Sequence, residues 1–96
     1  MFIIQLQFST NKGQAKELMS AHQEWIAQGV SDNVFLVVGN LEPNRGGAIM
    51  AHNATSEEIH ERVNNDPFVI HHVVSAEVIE ITPKITDKRL DFLIEA

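Results

Sequence analysis

Among the ionisable side chains of this sequence, His22 alone falls on an apolar stripe with helical period, together with Ala15, Leu18, Met19 and Ile26. An imidazole gains and loses a proton near neutrality, so a half-buried one facing a hollow can act as acid or base. The same residue could also be a core-edge histidine that bonds a backbone carbonyl. Asp66 has two readings of its own. Asp before Pro67 suits a helix N-cap followed by the first helical position. Its carboxylate could instead orient and charge an imidazole, as the third group of a catalytic triad does.

Other candidates are weaker. His71 and His72 are adjacent, and neighbours on a strand point to opposite faces, so one metal could not easily use both. With no acidic residue at ligand spacing around them, no metal site is expected. The pair fits a pocket rim or a turn. Arg45 beside Gly46 and Gly47 could hold an anionic substrate group, although glycines at a hairpin tip ordinarily serve positive φ. No P-loop or dinucleotide fingerprint surrounds them. Phe68 and Trp25 suit core or pocket wall. Ser9 and Ser75 lack a nucleophile-elbow context. The sequence contains no cysteine, which excludes thiolate nucleophiles, disulfides and zinc–cysteine sites and is compatible with a reducing compartment.

These residues need elements to position them. Phe2, Ile4, Leu6 and Phe8 alternate with Gln5 and Gln7, which predicts a strand. Ser9-Thr10-Asn11 is a polar break, and the spacing predicts a helix from about Lys12 to Gln28 with Gly29 as its stop. Val34 to Val38 is apolar at both parities, which predicts a strand covered on both faces. The cluster Pro43 to Gly47 is a turn, and Ala48 to Ala54 a second strand, so the two form a hairpin. Thr55 and Glu58 fit a capping box that opens a helix over Ser56 to Asn64, with Ile59 and Val63 inward. Asn65-Asp66-Pro67 ends it. Val73 to Thr82 is the last strand, stopped by Pro83, and Asp87 to Ile94 is a closing helix with Leu90, Leu93 and Ile94 on one side. The order is therefore βαββαβ plus a C-terminal helix, an α+β fold with residues 1–83 as the body and 84–96 as a helical tail of the same domain.

Ninety-six residues make one domain's worth of chain, and 44% hydrophobic with 21% charged residues is ordinary for a globular protein. No apolar run approaches the length of a membrane span, and the N-terminus lacks the basic start of a signal peptide, so a cytoplasmic location is expected by elimination. The net charge is −6 and the cations are scattered, which argues against nucleic acid. Two helices can cover one face of a four-stranded sheet. The other face would keep apolar residues from Val34–Val38, Ile49 or Val73–Ile81, and large exposed apolar patches usually mark interfaces. A homodimer packed sheet on sheet is expected.

The element order, His22 late in the first helix, the Gly39 turn after the second strand, and above all Asp66-Pro67-Phe68 before a β-branched last strand together resemble the YCII-related (YciI-like) family over about residues 1 to 83. The resemblance implies a ferredoxin-like fold of the dimeric α/β-barrel type, with a cleft in which the family's histidine and aspartate, here His22 and Asp66, form the active site. One branch of that family resembles lactone-acting dehalogenases of aromatic degradation. This chain departs from the pattern at Gly39-Asn40, where Gly-Pro is common, and at His71-His72, where a small residue and glycine are common.

Three functions follow as expectations. The first is a small cofactor-independent enzyme of the lyase, isomerase or dehalogenase kind, using His22 and Asp66 for acid–base chemistry on a small organic substrate contacted by Phe68, His71, His72 and Arg45. The second is a non-catalytic dimer that binds a small molecule in the same cleft. The third is a cofactor-free monooxygenase on the same scaffold, which no residue specifically supports. Whether the His22 and Asp66 side chains converge in an open cavity separates the first two.

Overall fold

In a computed structural model of the chain, which describes residues 1–94, four strands form one antiparallel sheet: β1 (Phe2–Phe8), β2 (Phe35–Leu41), β3 (Gly46–Ala51) and β4 (Val74–Glu80), in the order β2-β3-β1-β4. β1 is central because its alternation gives it a fully apolar face. Phe2, Ile4 and Leu6 are buried on that face, and Gln7 on the other is exposed. The helices α1 (Ala15–Ser31), α2 (Ser56–Asn64) and α3 (Pro67–Ile70) supply the partners of this face. Ile59, Val63 and Phe68 join Phe2, Ile4, Leu6, Phe35, Ile49 and Val73 in the core, and Leu18 and Trp25 pack against them. The arrangement is the expected ferredoxin-like α+β fold, with its helices on one side of the sheet.

Local chemistry explains most boundaries. The Thr55 hydroxyl accepts from the Glu58 backbone N–H at 3.1 Å, and the Thr55 N–H donates to the Glu58 carboxylate at 2.8 Å, so the capping box starts α2 at Ser56 as expected. Asp66 caps α3 and Pro67 opens it. The first helix departs from expectation. It begins three residues later than Lys12, after a 3-10 turn at Lys12–Gln14, and it continues through Gly29 to Ser31. Gly29 is no stop. A Cβ there would lie 2.3 Å from the Phe35 ring, so the glycine lets the strand's aromatic ring lie against the helix. The chain turns instead at Asn33, whose φ of 62° is a left-handed value that Asn tolerates. Beyond it, the Arg62 guanidinium meets the Asp32 carboxylate at 2.9 Å and ties the end of α1 to α2. That guanidinium, followed by the Gln28 amide, holds the Asp32 carboxyl below its ordinary range.

Three further expectations change. The second strand is covered on one face only within this chain. Val34 and Phe35 are buried, but a bulge between Phe35 and Val37 turns Val37 to the open side of the sheet, where it is 57% exposed. β3 begins earlier and ends earlier than Ala48–Ala54, because Asn53, at a φ of 58°, turns the chain toward α2. The closing segment is a 3-10 helix, Lys88–Leu93, capped by Asp87, and of the three residues expected on one side only Leu93 is buried. The last two residues of the predicted tail lie outside the described residues. On the open face, Val37, Met50, Ile3 and Ile79 pair in register across all four strands and form one apolar row.

Candidate active site

The buried polar side chains among the described residues are His22 and Asp66, and they meet. The His22 Nδ1 and the Asp66 Oδ1 are 2.7 Å apart. Each group arrives there for a local reason. His22 lies on the sheet-facing stripe of α1, two turns below its start. Asp66 is the N-cap of α3, and its Oδ1 also accepts from the Phe68 N–H at 3.0 Å. One oxygen thus both caps α3 and meets the imidazole. An ionised carboxylate only accepts. Facing such a carboxylate, a neutral imidazole donates from Nδ1 and keeps its lone pair on Nε2.

Phe68 fixes the plane of the ring. It stacks on His22 with centroids 3.9 Å apart and an interplanar angle of 1°. Trp25 also stacks near the ring, with centroids 5.8 Å apart, and is itself anchored by donating its indole N–H to the Arg62 carbonyl at 2.9 Å. The imidazole is therefore held by one hydrogen bond and by aromatic walls, which removes the rotamer freedom that a catalytic base would otherwise lose on binding. The Asp66 Oδ2 is buried and takes no hydrogen bond, whereas the His22 Nε2 is neither bonded nor sealed from solvent.

A cleft of about 380 Å³ opens beside the pair, between α1 and the sheet. Its helix wall carries Met19, His22, Gln23 and Ile26, and its sheet wall runs over Leu6, Ile49, Gly47 and Asn40. This volume lies at the small end of the usual range for ligand pockets. The lining is mostly apolar, with His22 and two amides as the polar groups.

Three of the sequence-predicted site residues, His22, Asp66 and Phe68, come together here, and three do not. Arg45 is exposed at the hairpin tip, where its Nε–H donates to the Glu42 carbonyl at 3.0 Å, and it does not line the cleft. His71 caps the end of α3, and His72, with a φ of 59°, forms the turn into β4. Both are exposed and stand away from the cleft. Their backbone carbonyls accept from Asn11, so this turn serves to pin the loop after β1. No group of acidic and histidine side chains among the described residues could hold a metal ion. Gln23, Asn40 and Gly47 also line the cleft, although none was a predicted site residue. Gln23 sits at the edge of the helical stripe. The other two become visible only when the hairpin register places Asn40 opposite Gly47 and Gly47 opposite Leu6.

The fold and the site together describe an α+β ferredoxin-like protein with a buried His–Asp pair at the wall of a small apolar cleft. Among solved structures, the chain is similar to 5-chloro-2-hydroxyhydroquinone dehydrochlorinase (TftG) from Burkholderia phenoliruptrix AC1100, in complex with 2,5-dihydroxybenzoquinone. The TM-score is 0.68 and the identity 15%, over 84% of this chain and 93% of that one. At this identity the likeness is one of fold. No family model and no curated protein matches the chain.

Proposed function

We propose that this protein is a small acid–base enzyme in which His22 Nε2 takes a proton from a small, activated organic substrate bound in the cleft, with Asp66 facing the Nδ1–H. The observation that carries the reading is the 2.7 Å contact between Nδ1 and a fully buried carboxylate, made at the wall of an open cleft. The pair can perform an elimination. The base removes a proton, the released electron pair becomes a π bond, and a leaving group departs from the neighbouring or conjugated carbon with its own bonding pair. The Asp66 carboxylate stabilises the positive charge that the imidazole gains, and the proton then leaves to water. A base held by a carboxylate suits proton abstraction and elimination directly, whereas hydrolysis of an unactivated bond also needs donors preorganised around a tetrahedral oxyanion.

The neighbour's chemistry and the resemblance to the YCII-related family support the same reading, and they suggest a hydroxylated ring or its quinone as the substrate class. A homodimer through the open sheet face is part of the proposal. The experiment is turnover on a panel that begins with 5-chloro-2-hydroxyhydroquinone, read as chloride release and quinone absorbance. His22→Ala should lower the rate by about 10²–10⁴-fold, the usual contribution of a positioned acid–base group. A wild-type chain inert on every ring compound of the panel, or a His22→Ala chain as fast as wild type, would overturn it.

A further inference from the structure

The catalytic pair occupies one wall of the cleft, and a second set of residues determines what can lie against it. Gly47 pairs with Leu6 on one side and with Asn40 on the other, and residues directly opposite one another in an antiparallel sheet project to the same face. Leu6 lines the buried, helix-facing side, so the missing side chain of Gly47 is missing from the cleft floor. A Cβ built there meets only the Gly39 carbonyl oxygen, at 3.4 Å, and the φ is not positive. Neither backbone conformation nor packing requires glycine at this position. Its neighbour is different. Gly46 has a φ of 132°, and a Cβ there would lie 1.9 Å from the Leu6 carbonyl oxygen, so Gly46 is structural. Asn40 stands in the same row and on the same face as Gly47, and its side chain has no hydrogen bond to any described residue.

We infer that Gly47 and Asn40 are the specificity-determining residues of this cleft: the bare glycine leaves a flat floor for a small ring, and the Asn40 amide bonds an oxygen substituent at the ring edge that does not face His22. The inference rests on the proposed function for the role of His22, but the ligand contact is separate from it. An amide carries both donors and an acceptor, so it accepts a hydroxyl or donates to a carbonyl equally well, which fits a ring that passes between phenol and quinone forms. Apolar side chains from Ile49 and Ile26 would contact the faces of such a ring.

The test titrates 2,5-dihydroxybenzoquinone into the 96-residue chain and reads binding by calorimetry and by the fluorescence of Trp25, the one tryptophan of the sequence, whose ring centroid lies 5.8 Å from that of His22. Gly47→Ala should weaken binding by about tenfold, the usual discrimination per methyl-sized group in a close-fitting pocket. Gly47→Val should weaken it further. Asn40→Leu should cost about fivefold, the worth of one net hydrogen bond. Gly13→Ala, on the surface with nothing within 4 Å, is the control, and each variant is checked for an unchanged melting temperature. Because Gly47→Ala meets no obstacle, a folding failure of the valine variant leaves the alanine result decisive. If His22→Asn abolishes turnover while Gly47→Ala and Asn40→Leu bind like wild type, this inference is overturned and the acid–base reading stands. If the reverse holds, the specificity residues are supported and the acid–base reading fails. A wild-type chain that binds no dihydroxylated quinone or phenol overturns both.

Discussion

At the scale of single residues, the site is governed by how Asp66 divides its hydrogen bonds. One oxygen caps α3 and holds the His22 Nδ1–H, while the other is buried without a partner. Burying a carboxylate is costly unless it is paired and hydrogen-bonded, so the imidazole offsets part of that cost, and removing either side chain strands the other. Phe68 reaches both groups, Asp66 through its backbone N–H and His22 through its ring. Phe68→Leu keeps the N–H and loses the stack. The expected result is a kcat reduced by about tenfold, the penalty for a base no longer held in a near-attack geometry, with a smaller change in KM. Rescue by Phe68→Tyr, which restores the flat ring, would distinguish positioning from general loss of packing. Equal kcat in wild type and Phe68→Leu would leave Phe68 with a packing role alone.

Elements bring these residues together through two close fits. The first is the crossing of α1 and β2 at Gly29 and Phe35. Replacing Gly29 by Ala would gain about 1 kcal/mol of helix propensity. It would also force a methyl group into the Phe35 ring, and overpacking of this kind costs about 1–3 kcal/mol. The steric term exceeds the propensity term, because the Phe35 ring is itself wedged edge-on against Trp25 at 5.1 Å and has little room to withdraw. Gly29→Ala should therefore lower stability by about 1 kcal/mol net in denaturant melts, and a stabilised variant would contradict this account of the crossing. The second fit is the short α3. Its four residues fold because Asp66 and Pro67 supply the cap and the fixed φ, and they turn the chain so that Phe68 enters the core while the carboxylate faces α1.

At the scale of the whole molecule, the sheet has two unlike faces. The helix-facing side is filled. The open side carries the row Val37, Met50, Ile3 and Ile79, with Gln5, Gln7 and Glu77 in the rows beside it. Val37 and Ile79 are 57% and 37% exposed, and Ile81 adds to the same region at 40%. At about 25 cal/mol per Å², covering such a row with its copy is favourable, and the four residues of the row carry no charge. Light scattering at micromolar concentration should give twice the chain mass of 10.8 kDa. Met50→Glu, which places a carboxylate in the middle of the row, should shift the chain to monomer. A wild-type monomer under those conditions would falsify the dimer. No helix among the described residues is long and apolar enough to cross a membrane.

Much of this was written in one dimension. Alternation in β1, the capping box at Thr55, the Asp66-Pro67 start and the helical stripe that includes His22 are all local patterns, each depending on neighbours within about one or two turns of chain. They were enough to yield the element order and to make His22 and Asp66 candidates, which the family resemblance then paired. What tertiary structure alone decided involves distance along the chain. The meeting of His22 with Asp66 spans 44 positions. The role of Gly29 depends on a ring in the next strand, and Gly47 and Asn40 acquire meaning only through a register that spans three strands. The same distance removed Arg45, His71 and His72 from the site. Their chemistry is suggestive in sequence, but the hairpin tip and the turn before β4 point them to solvent away from the cleft. Local periodicity says which face a side chain takes, and only packing says what it faces.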